Sequence, residues 1–62
     1  MIEFHQLGDS EMYKVIIDGV FGGNIFESPS CEYQFSGSMS MVSFRASDLR
    51  EIADKLDELN LY

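Results

Sequence analysis

Cys31 is the only cysteine among the 62 residues and His5 the only histidine. No internal disulfide can brace the chain, and one thiol with one imidazole is too few for a structural zinc site. A lone thiol without a leader sequence fits a reducing cytoplasm, and the chain is expected to be a complete small gene product. Tryptophan is missing and proline occurs once, at Pro29. Positive charge is scarce: four Lys and Arg stand against eleven Asp and Glu, a formal net charge of −7. Such a field repels nucleic acid and anionic lipid and favours basic protein surfaces, so direct nucleic-acid binding is not expected. No apolar run approaches the roughly 20 residues of a membrane-crossing helix. A domain this short buries only about 60% of its unfolded surface, and natural examples usually add a disulfide, a metal or another subunit. With the first two set aside, association with a second copy or a partner is the expected supplement.

What the sequence does have is one clear period. Leu49, Ile52, Ala53, Leu56 and Leu59 recur at the three-and-four spacing of an amphipathic helix, with Asp48, Arg50, Glu51, Asp54, Lys55, Asp57 and Glu58 on the remaining arc. Ser47 is a good N-cap, Asp48 suits the positive end of the helix dipole, and Asn60 suits a left-handed C-cap. The expected helix runs over about 48–59.

Upstream, the residues read as strands at about 2–7, 12–17, 20–27, 31–35 and 38–44. Gly8-Asp9-Ser10 and Ser36-Gly37 read as turns, and Ser28-Pro29-Ser30 as a break. Asp18-Gly19 between apolar runs is a strong hairpin signal. The expected fold is one α+β domain over 1–62, an antiparallel β-meander of four or five strands followed by one C-terminal amphipathic helix.

With a two-residue turn at Asp18-Gly19, Ile17 faces Val20, Ile16 faces Phe21, Val15 faces Gly22, Lys14 faces Gly23 and Met12 faces Ile25. One side then carries Tyr13, Val15, Ile17 and Val20, and the other Met12, Ile16, Phe21 and Ile25. Both are apolar, and a single helix covers only one. Either a second protein surface covers the other, or loops together with Met39 or Met41 do.

No residues converge as acid, base and nucleophile. His5 reads as an ordinary strand residue, Cys31 as a small core residue, and Gly19, Gly22 and Gly23 as turn and packing positions, since the Lys-Ser/Thr of a phosphate loop is missing. Phe21, Phe26, Tyr33, Phe35 and Tyr62 are core or interface material, and Met39-Ser40-Met41 is a contact strip or a packed edge strand. Glu51, Asp54, Asp57 and Glu58 form a carboxylate ridge that either imitates a row of phosphates for a basic groove or is a solvated helix face with Glu51–Lys55 and Arg50–Asp54 pairs.

Taken together, Y-K-V-I-I-D-G-V-F-G-G-N-I (Tyr13 to Ile25), Y-x-F (Tyr33 to Phe35) and F-R-A-S-D-L-R-E-I-A-D-K-L-D-E-L-N (Phe44 to Asn60) resemble the small acidic accessory proteins of tailed bacteriophages and prophages, in which a short meander precedes a helix ending in L-x-x-L-N. The resemblance covers most of the chain and brings no catalytic residue with it. It implies a protein that binds a host protein in the host cytoplasm; some such proteins, like anti-CRISPR and anti-restriction proteins, block a nucleic-acid-handling complex. The expected function is therefore a non-enzymatic acidic inhibitor or modulator that occupies a basic surface of a host protein, without cofactor or metal. Its expected contact residues are Glu51, Asp54, Asp57, Glu58, Met12, Ile16, Phe21 and Ile25. The alternative is a self-associating structural component, a homodimer through the exposed sheet face.

Overall fold

Asp18 and Gly19 both adopt positive φ, 52° and 82°, as a two-residue turn between twisted strands requires. The turn joins β2 (Tyr13–Ile17) to β3 (Val20–Glu27), and Ile17 pairs with Val20. The computed structural model describes residues 1–39 and 43–61. Within them β1 (Ile2–Gln6) precedes the hairpin, β4 (Tyr33–Gly37) follows it, and α1 (Ala46–Asn60) comes last. The strands form one antiparallel sheet in the order β1-β2-β3-β4, so the protein is an α+β meander with a C-terminal helix.

Several boundaries depart from the local signals. Cys31 is exposed in the β3–β4 turn at φ 65°, where its amide donates to the Ser28 carbonyl at 2.8 Å. It is not a core residue, and β4 begins two residues later than the sequence suggests. Ser36 and Gly37 belong to β4 and are not a turn. A fifth strand over 38–44 is not formed by Ser38, Met39, Ser43 or Phe44; residues 40–42, Met41 among them, lie outside the described residues, as does Tyr62. Met39 is almost wholly exposed and covers no sheet face.

The largest departure is a bulge in β3. Ile16 pairs with Phe21, but Val15 pairs with Gly23, leaving Gly22 as the extra residue. An extra residue reverses the alternation of every side chain beyond it. Tyr13 therefore faces Ile25 and Lys14 faces Asn24, so the expected Met12–Ile25 and Lys14–Gly23 registers do not occur. Ile25 moves to the helix-covered side and is fully buried with Val15, Ile17 and Ile52. Phe26 takes its place on the other side. Gly23 accommodates the bulge at φ 146°.

The helix covers one face only, because its apolar stripe can contact only one. Ile52 is buried, with Leu56 and Leu59 packed beside it against Ile2, Phe4, Tyr13, Tyr33 and Phe35. Phe44 stands edge-on to Phe35 with ring centroids 5.9 Å apart. The helix is rotated from its sequence-expected setting. Leu49 and Ala53 are exposed, whereas Asp48 is buried and Lys55 is half-buried.

The partners of Arg45 and Lys55 explain both the rotation and the early start. Arg45, and not Ser47, occupies the N-cap. Its Nε donates to Asp48 Oδ2 at 3.1 Å and its Nη2 donates to Asp18 on the hairpin turn. Lys55 lays its ammonium over the Tyr13 ring at 5.3 Å and the Phe4 ring at 5.8 Å, and donates to Glu58 at 2.8 Å. The stem of Lys55 thus lies along apolar surface while its charge is paired.

Asn60 is the last helical residue, followed by an extended Leu61, and is not a left-handed cap. Its carboxamide accepts from the Tyr33 amide at 2.8 Å and donates to the Tyr33 carbonyl at 3.3 Å. One side chain thereby imitates the strand that β4 lacks. Asn60→Ala should lower stability by about 1–2 kcal/mol, since two partly buried backbone groups lose their partner. Chemical denaturation measures the loss, and hydrogen exchange at Tyr33 should accelerate more than in the sheet interior.

Candidate functional site

Opposite the helix, the sheet presents a second apolar face. Met12, Ile16, Phe21 and Phe26 lie on it, with Met12 at 40% and Phe21 at 36% exposure and the other two half-buried. Lys14 sits over the Phe21 ring at 5.8 Å. Ser10, Glu11 and Glu27 join Met12 and Phe26 around a shallow groove at one end. Three of the four sheet residues expected at a contact surface, Met12, Ile16 and Phe21, therefore lie together on the face that the described helix does not cover. The fourth, Ile25, is in the core.

Sequence reasoning missed Phe26 on this face. The available signal was Gly22-Gly23 inside a strand, a pattern that marks bulges.

Glu51, Asp54, Asp57 and Glu58 are all exposed on α1. Glu51, Asp54 and Glu58 border a groove with Phe4 and Lys55, beside the outer strand β1. The expected Glu51–Lys55 pairing gives way to Lys55–Glu58, and the expected Arg50–Asp54 pair is not among the ion pairs of the described residues. The carboxylate ridge and the open apolar face lie on opposite sides of the sheet. A flat partner can seat on only one of them.

The remaining polar groups make local structure. His5 Nε2 lies 2.8 Å from Glu3 Oε1, with both side chains exposed. The Tyr33 hydroxyl donates to Glu11, and that hydrogen bond pushes the phenol up to about 12. Among the described residues, no three His, Cys, Asp or Glu side chains gather as metal ligands, and no helix is long and apolar enough to cross a membrane.

At the hairpin turn, Asp18 receives the Met1 α-ammonium and the Arg45 guanidinium. The hydrogen bond from the amine, then the Arg45 charge, hold Asp18 below its ordinary 3.8, and the same hydrogen bond raises the amine above 8.0. A lowered carboxylate stabilises the fold above its unfolded value and loses that contribution as pH falls through the folded value. A raised amine stabilises below its unfolded value and loses the contribution as pH rises through the folded one. Asp18→Asn should accordingly differ most from the parent between about pH 4 and 8, with the difference shrinking on both flanks. Thermal unfolding of the two proteins across pH 2–10 measures it, and a constant difference over that span would reject the linkage.

The chain matched no family model, no curated protein and no solved structure.

Proposed function

We propose that this chain is a non-catalytic, acidic protein-binding module that covers a basic surface of a partner protein. The open sheet face carries the proposal: Met12, Ile16, Phe21 and Phe26 lie on the face away from the helix, exposed or half-buried, on a chain whose net charge is −7. Apolar patches with a polar rim mark interaction sites, and here Lys14 lies across Phe21 within the patch. The helix ridge cannot share a flat contact with that face, and its charge attracts a cationic partner at long range. The phage-type resemblance suggests a host protein that handles nucleic acid, bound so as to keep its basic groove from its own substrate.

The two surfaces predict different kinetics. A partner captured by the immobilised chain, identified and purified, should bind the variant with Asp54, Asp57 and Glu58 all changed to Lys with an on-rate reduced about tenfold or more and a weaker salt dependence. Phe21→Ser should instead raise the off-rate about tenfold or more at an unchanged on-rate. Unchanged kinetics in both variants would end the proposal. A tight dimer in sedimentation, dissociated by Phe21→Ser and without a captured partner, would replace it with self-assembly through the same face.

A further inference from the structure

The ladder leaves the outer edge of β1 available for pairing. The Met1 carbonyl accepts from the Asp18 amide at 2.7 Å, and the Leu7 amide donates to the Met12 carbonyl at 2.9 Å. Antiparallel pairing alternates, so Glu3 and His5 also turn their amide and carbonyl groups toward β2, while Ile2, Phe4 and Gln6 turn theirs outward. None of the described residues bonds to those outward groups. The opposite edge is treated differently, because Asn60 occupies both backbone groups of Tyr33. β1 carries no proline, lysine or bulge of the kind that blunts an edge, and its charged side chain is the carboxylate of Glu3.

We propose that the outer edge of β1 receives an extended basic segment of the partner as a fifth strand, a reading that rests on the acidic binding module above and names how its partner docks. Residues of the incoming strand that pair with Ile2, Phe4 and Gln6 place their side chains on the helix side of the sheet. There they meet the groove of Phe4, Glu51, Asp54 and Glu58, whose one ammonium, Lys55, is already paired with Glu58. Lysine or arginine at alternate positions suits that groove. A second copy of this chain does not, for it would bring the same carboxylates against their equals and double a net charge of −7.

The probe is a capped Thr-Lys-Thr-Lys-Thr-Lys-Thr peptide, titrated at low salt into the isotopically labelled chain. Amide shifts and slowed exchange are expected at Ile2, Phe4 and Gln6. N-methylation of the central lysine, whose amide points at β1, should weaken binding about tenfold or more, while N-methylation of a neighbouring threonine should change it less than about threefold. The double variant Glu51→Gln with Asp54→Asn should fold normally and also bind about tenfold more weakly. Equal affinity of the two methylated peptides, a glutamate peptide that binds as well as the lysine one, or a β1-paired dimer of the free chain would overturn the edge proposal. Shifts centred on Ile16, Phe21 and Phe26 would overturn it too, yet leave the acidic module standing. Failure to bind this peptide together with unchanged kinetics in the capture experiment would remove both.

Discussion

Gly23→Ala should leave the chain largely unfolded at 25 °C. A Cβ at Gly23 would lie 2.2 Å from the Ser36 carbonyl oxygen and 3.0 Å from both Gly37 Cα and the Phe35 ring, and φ there is 146°. Two of these neighbours are backbone of the paired strand, so no rotamer change relieves the clash. The added methyl must push β4 away from β3 or force the bulge to a different backbone conformation. Either cost is on the order of 4 kcal/mol or more. A domain of this length has a total stability of only about 3–9 kcal/mol. Circular dichroism and denaturant titration measure the result; a cooperative transition within about 1 kcal/mol of the parent would mean that Gly23 is not pressed against β4.

Ile25→Ala should be nearly as damaging, at about 3–4 kcal/mol, because Ile25 is fully buried between the sheet and the helix. Phe26→Ala, one residue along, removes a larger side chain yet should cost only about 1 kcal/mol, since its ring is half-buried on the open face. The contrast between neighbours tests the bulge directly. Without it the order would reverse, with Phe26 the costly position and Ile25 the tolerant one. Urea titrations of the two variants decide it, and a Phe26→Ala loss exceeding that of Ile25→Ala would contradict the register. A second readout separates stability from binding. Phe26→Ala should reduce partner affinity in a fully folded protein, which Ile25→Ala cannot be made to show independently of folding.

Much of this fold is legible from short-range chemistry. Asp18-Gly19 announces its turn because few other residues accept two successive positive φ values, and the Ile52, Leu56 and Leu59 spacing announces the helix. What escapes local reading is decided by distant partners. Ser47 is the better N-cap by preference, but Arg45 is held at that position by Asp18 on the hairpin and by Asp48. Asn60 has the right chemistry for a helix end and is instead committed to the backbone of Tyr33. Lys55 turns inward against its polarity over the distant rings of Phe4 and Tyr13, while its counter-charge Glu58, like Arg45 for the buried Asp48, lies within one helical turn. Leu49 is left outside as a result.

The candidate surface shows the same division. Met12, Ile16 and Phe21 follow from the hairpin alone and fall where expected. Ile25 and Phe26 exchange places because Gly22 adds one residue to β3, an effect that alternation of apolar and polar side chains cannot reveal in a strand apolar on both sides. The glycine pair was visible, but two glycines in a strand fit a bulge or a close backbone approach equally well. Here they provide both: Gly22 is the extra residue, and Gly23 makes the approach to β4.

The doubled glycine also sets where this gene can change length. Added codons at 8–10 or 29–31 would lengthen a solvent loop and leave the hairpin intact. A single codon added between Gly23 and Asn24 would be of another kind, for it would send Asn24 inward and expose Ile25 without altering any other amino acid, whereas loss of the Gly22 codon would only straighten β3 and keep Val15 opposite Gly23. Among descendants that stay folded, the single-residue spacing between Gly23 and Ile25 should therefore be held constant even where the side chains have drifted.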